Sequence, residues 1–163
     1  MALFGRSRDV SLISSLNREL IKDIVQQEVV YYEFALNETN SNIYNEATQK
    51  FYYEPVYINC LIKRGDQENP ETEFGNDLKQ RMRFSFYRLD LIELNLLPEI
   101  GDVVKWEENY YEIFNVVNNQ DFVGKNREYH QRTDTQGFGS SISVLCDAHM
   151  IRPEKLTILQ TRG

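Results

Sequence analysis

The chain has 163 residues, 41% of them hydrophobic and 26% charged. That suffices for one domain with a sizeable core, is too short for two ordinary ones, and is too apolar for a disordered chain. A formal net charge of -7 repels phosphate, which excludes a conventional basic nucleic-acid footprint but not a protein that surrounds DNA without gripping it.

The first nine residues hold Arg6 and Arg8 but no apolar signal core. No later stretch approaches a membrane span, so a cytoplasmic protein is expected. Residues 9–25 read as the main helix, capped by Asp9 or Ser11. Leu12, Leu16, Leu20 and Ile24 recur at i, i+4, with Ile13 and Ile21 beside them, and Asn17, Arg18, Lys22 and Asp23 lie opposite. Such a helix is expected to bury its leucines against the rest of the fold. On that reading Leu16→Asp places an unpaired charge in the core and unfolds or misassembles the subunit.

Period two then takes over. Residues 29–36 predict a strand with Val30, Tyr32, Phe34 and Leu36 on its core side, and the polar stretch 37–50 a loop. Residues 52–63 predict a strand with Val56, Ile58, Cys60 and Ile62 on one face, beginning near Pro55. Residues 65–77 contain five acids, no base, Pro70 and two glycines, and read as a long exposed loop. In 81–87, Met82, Phe84 and Phe86 face one way and Arg81, Arg83, Ser85 and Tyr87 the other. Residues 90–97 read as a short helical turn stopped by Pro98. Gly101-Asp102 turns the chain into a hairpin, 103–106 and 110–117, joined through Glu107-Glu108-Asn109. Residues 118–140 read as a second long loop. The last strand, 142–150, alternates Ile142, Val144, Cys146, Ala148 and Met150 against Ser143, Asp147 and His149.

The sum is a mainly β protein, a small antiparallel β-barrel or sandwich with an N-terminal α-helix and long loops. A single domain over 1–163 is expected, with an arm and helix at 1–28 and a β-domain at 29–158. Ten Tyr and nine Phe suit strands and interfaces.

Chemistry-bearing motifs are sparse. Cys60 and Cys146 lie in apolar runs without metal spacing and read as buried reduced thiols. His130 and His149 belong to no HxH, HExxH or CxxC arrangement. Glu68, Glu71 and Glu73 lack the apolar surroundings that hold a shifted carboxyl pKa. GxSxG, Walker A and GxGxxG patterns are absent. A non-enzymatic protein without cofactor or metal is therefore expected.

Two binding readings follow from the residues. Arg81, Arg83, Phe84, Phe86 and Tyr87 resemble in composition a stacking platform of an OB-like nucleic-acid module, although alternation puts both phenylalanines on the face opposite the arginines. Alternatively, the acids Asp66, Glu68, Glu71 and Glu73 pair across neighbouring copies with Arg6, Arg8, Lys125, Arg127 and Arg132. Unlike surfaces meeting head to tail close into a ring when the rotation permits. On composition alone these charges read equally well as solvated loops.

Several segments in order carry a family resemblance: Tyr52-Tyr53-Glu54-Pro55-Val56, Phe74-Gly75-Asn76-Asp77-Leu78, Gly101-Asp102-Val103-Val104, Tyr110-Tyr111-Glu112-Ile113 and Asp121-Phe122-Val123-Gly124-Lys125-Asn126. This order resembles the neck, or head-completion, protein of T4-like contractile-tailed bacteriophages. The Gly-Asp hairpin also looks like the head-closure adaptors of other tailed phages. The resemblance covers residues 50–158; residues 1–45 carry no matching motif. It implies a structural virion protein forming a hexameric ring in the neck, assembled in the host cytoplasm. Its partners would be a portal-side adaptor protein, a tail terminator protein and the double-stranded DNA in the channel, with no membrane. A tail terminator or another head–tail adaptor ring is the nearest alternative.

Overall fold

The computed structural model describes residues 7–35, 50–68, 71–72, 75–76, 79–121, 141–153 and 156. Six strands form a closed, wholly antiparallel barrel in the order β1-β2-β5-β8-β7-β6. They are β1 (Glu28–Tyr32), β2 (Val56–Glu68), β5 (Lys79–Tyr87), β6 (Val103–Trp106), β7 (Asn109–Asp121) and β8 (Ser141–Ile151). Two short strands, β3 (Glu71–Thr72) and β4 (Gly75–Asn76), make a separate ribbon. Helix α1 (Ser7–Glu19) runs into a π-helical turn (Leu20–Val25), and a one-and-a-half-turn helix, α2 (Arg88–Glu93), links β5 to β6.

Alternation decides what fills the barrel. Ile58 and Cys60 from β2, Met82, Phe84 and Phe86 from β5, and Val144, Cys146 and Ala148 from β8 are buried in one core with Val104, Trp106, Tyr111 and Ile113. Phe84 meets Phe86 stacked and Tyr111 edge-on. Leu91 and Leu96 belong to the same core from α2 and the turn after it. Each such side chain contributes about 1.5–3 kcal/mol by leaving water. Burial also pushes the thiols of Cys60 and Cys146, both free, up to about 12.

On β1 the expected parity is reversed. Val29 and Tyr31 enter the barrel core, while Tyr32 joins Val103 and Tyr110 in a second buried cluster, with Val30, Tyr52, Ile151 and Leu156 packed against it. Both faces of β1 are covered, so Val29-Val30-Tyr31-Tyr32 carries no alternation from which to choose a face. The strand is also shorter than expected. Beyond Tyr32 a single bridge continues it among the described residues, Phe34 to Tyr52.

The 65–77 stretch is not a loop throughout. Strand β2 continues to Glu68 and pairs with β5 as far as Glu68 opposite Lys79, past a register shift between Arg64 and Gln67. Gly65 sits in that bulge, where an added Cβ would stand 2.8 Å from the Arg81 carbonyl oxygen. Glycine permits this close approach, and the cross-strand ladder overrides the polar composition. Likewise β7 runs to Asp121, opposite Ser141, so 118–121 is strand; the rest of the expected second loop lies outside the described residues.

One buried carboxylate ties the barrel's parts together. Asp102, 1% exposed, accepts hydrogen bonds from the Tyr31 hydroxyl, from the Phe34 N–H at 2.8 Å and from the Glu99 N–H at 2.8 Å. Its own carbonyl accepts from the Ile113 N–H at 2.8 Å, while the Gly101 N–H donates to the Ile113 carbonyl at 2.9 Å. Gly101 has φ +102°, a conformation that costs other residues dearly. The Gly-Asp pair thus joins β1 and the β6–β7 hairpin at one point.

Two expectations follow. Asp102→Ala removes the acceptor of one buried and two part-buried donors and should lower unfolding stability by about 2–4 kcal/mol in chemical denaturation. The folded thiols and the Tyr31 phenol, raised by burial and next by the Asp102 charge, hold protons that the unfolded chain releases. Their contribution is therefore complete below the ordinary thiol value of 9.0 and lost as pH rises toward about 12. Denaturation midpoints measured from neutral pH upward should fall across that window.

Candidate functional site

Among the described residues, the side chains open to solvent lie on the outer faces of the barrel and of the N-terminal helix. Among them no group of three or more His, Cys, Asp or Glu is arranged to hold a metal ion, and no helix is long and apolar enough to cross a membrane. His149 is exposed on β8 with its ring 5.8 Å from that of Phe114. His130 lies outside the described residues.

Antiparallel closure fixes where the connections emerge. The β2–β5 hairpin and the Glu107-Glu108 turn leave one end of the barrel; α2 and the last β7–β8 pair, Asp121 with Ser141, stand at the other. Asp66 and Glu68 lie on the outer reach of β2, and Glu71 lies in β3, so one hairpin gathers these three acids. Glu73 lies outside the described residues, as do Arg6, Lys125, Arg127 and Arg132; Arg8 lies on α1. The backbone of one arm thus carries these three acids, and of the expected cationic partners the described residues include only Arg8.

The aromatic platform does not form. Phe84 and Phe86 are fully buried, whereas Arg83 projects outward and binds Asp147 across the strands through Nε at 2.6 Å and a second nitrogen at 3.2 Å. Asn115 adds a bond to the same carboxylate at 3.0 Å. The Arg83 hydrogen bond, foremost, holds the Asp147 carboxyl below its ordinary range. At such exposure this pair contributes little to stability.

Helix α1 supplies the least expected surface. Its apolar stripe points to solvent, with Leu12 57%, Leu16 54%, Leu20 43% and Ile24 74% exposed. The residues that dock are Ser14, Arg18 and Lys22, also spaced i, i+4, together with Ile21. Ser14 and the Tyr87 hydroxyl share a hydrogen bond, and that hydroxyl lies 3.1 Å from the Ser14 carbonyl oxygen. Arg18 and Lys22 stand 2.9 and 3.0 Å from Oδ1 of Asp90, which is 4% exposed and lacks a well-aligned hydrogen bond; Arg18 also reaches Glu93. The expected burial of Leu16 is thereby corrected, and a charge there does not enter the core. The reason lies in the receiving surface: it offers a phenol and a buried carboxylate, which only the polar face of α1 satisfies.

The sequence pattern marks Asp102 as part of a turn and Asp90 as the start of a helical stretch, and neither as a buried carboxylate. An acid flanked by Leu89 and Leu91 was the available sign of burial for Asp90; the Gly-Asp turn was the sign for Asp102.

No protein-family model and no curated protein matches the chain. Among solved structures it is similar to a chain from the virion of a native gene transfer agent particle, at 9% identity and a TM-score of 0.44 over 76% of this chain and 93% of that one. A likeness so loose transfers no function.

Gly65→Ala should force β2 from β5 and destabilise the acidic arm by about 1–3 kcal/mol, measurable as faster amide exchange at 62–68 and 79–84 with the rest of the barrel unchanged.

Proposed function

We propose that this protein is a structural, non-enzymatic subunit of a bacteriophage virion, forming a ring in the neck that closes the DNA-filled head and connects it to the tail. The observation that carries the reading is the separation of its outer surfaces. An acidic arm leaves one end of the barrel, the β7–β8 pair extends from the other, and α1, seated on Tyr87 and α2 near that second end, turns an apolar stripe outward. A subunit built this way has surfaces for a layer above, a layer below and a neighbour in its own layer. The motif order at 50–158 supports the same head-completion role.

On this reading the chain is one domain that acts in six copies between the portal-side adaptor protein and the tail terminator. Asp66, Glu68, Glu71 and Glu73 line the channel or meet an adjacent ring, with Arg6, Arg8, Lys125, Arg127 and Arg132 as the cationic counterparts. An acidic channel suits passage of double-stranded DNA, because each cationic phosphate contact would add affinity and slow ejection.

Particles made without the protein should be full heads that leak DNA and carry no tails in electron micrographs. Normal tailed particles would overturn the assignment. Replacing the four acids together with lysine should leave the subunit folded and cut infectivity at least about tenfold, the scale on which misplaced interfacial charge acts.

A further inference from the structure

We infer that the apolar stripe of α1 is the surface by which one copy grips the next, lying across the outer wall of strands β2, β5, β8 and β7 of its neighbour. The inference rests on the ring reading and names the contact that would build the ring.

Two features leave the stripe unpartnered among the described residues. Ser14, Arg18 and Lys22 are engaged with Tyr87 and Asp90 on the opposite side of the helix, so its rotation is fixed with the leucines outward. The π-helical turn at Leu20–Val25 is wider than an α-helical one. It offsets the drift that an i, i+4 series accumulates at 3.6 residues per turn and keeps Ile24 in line with the leucines. The result is an exposed apolar strip on the order of 18 Å long, of the kind that marks an interaction site.

The wall has the complementary character. Register places Leu61 opposite Ser85, Ser85 opposite Leu145, and Leu145 opposite Val117. All four lie on the outer face, and the small Ser85 leaves a low point between the two leucines. The next outward positions are basic: Lys63 and Arg81 are exposed and make no ion pair among the described residues, while Arg83 is neutralised by Asp147. On the helix, Glu19 and Asp23 follow Leu16 and Leu20 by three residues and so border the strip on one side. They too are exposed and make no ion pair among the described residues. Acid-edged strip therefore meets base-edged row, which selects a second copy as the occupant. The two surfaces are unlike, so the contact is head to tail, which closes into a ring when the rotation permits and does not make a two-fold dimer.

The test uses the full chain in analytical ultracentrifugation over a concentration series, with thermal melts as the control for folding. Leu16→Asp and Ile24→Asp alter exposed positions and should melt like the wild type while weakening self-association about 10- to 100-fold. Glu19→Lys/Asp23→Lys and Lys63→Glu/Arg81→Glu should each abolish assembly alone, and mixing the two variants should restore it, because each then offers the surface the other lacks. Assembly of the stripe variants at wild-type affinity, or no recovery on mixing, overturns this contact while leaving a ring in place. A wild-type chain that stays monomeric up to its solubility limit overturns both the contact and the ring.

Discussion

Closure of the six-stranded sheet is the constraint from which the other features descend. Once the strand order β1-β2-β5-β8-β7-β6 returns on itself, each of these six strands has one face toward a shared interior, and the barrel itself keeps no open edge for unintended pairing. Antiparallel neighbours then send successive connections to alternate ends. The Asp102 carboxylate secures the seam where β1 and the β6–β7 hairpin meet, by accepting from three donors, Tyr31 and Phe34 in and just after β1 and Glu99 in the turn before β6. Its burial is tolerable because each donor compensates part of its desolvation.

The interior and the exterior of this barrel divide the labour sharply. Inside, aromatic and branched side chains fill the lumen, while the exposed Arg64 lies over the Trp106 ring at 5.0 Å. Outside, one wall is covered by a second apolar cluster around Tyr32, Val103 and Tyr110, while another carries exposed charge and an apolar row. A helix latched through its polar stripe adds an apolar one facing outward. An arrangement with so much hydrophobic side chain left in water is costly for an isolated subunit. In the proposed ring, that side chain would be covered by the neighbouring copy.

The attachment of α1 also differs in kind from the barrel's cohesion. Apart from Ile21, the buried contacts are a hydroxyl pair and ions around Asp90. Gln26 leaves the π-helical turn at φ 50°, a left-handed conformation uncommon for glutamine. The stripe is thus carried on an element whose seat is polar, oriented by hydrogen-bond and charge geometry rather than by apolar packing.

Sequence by itself determined the class of the fold: the helix, the Gly101-Asp102 turn, the β6–β7 hairpin, and the inward faces of β2, β5 and β8. Those signals are local, because each strand has one wet and one dry face and alternation records the difference. Tertiary structure alone decided the parity of β1, whose two faces are both covered. It likewise decided that Gly65 belongs to a paired bulge and that Asp90 and Asp102 are buried. Above all it decided which side of α1 touches the barrel. Periodicity reveals that a helix has two faces, but the face that docks is chosen by the chemistry of the surface it meets, and Tyr87 with Asp90 chose the polar one.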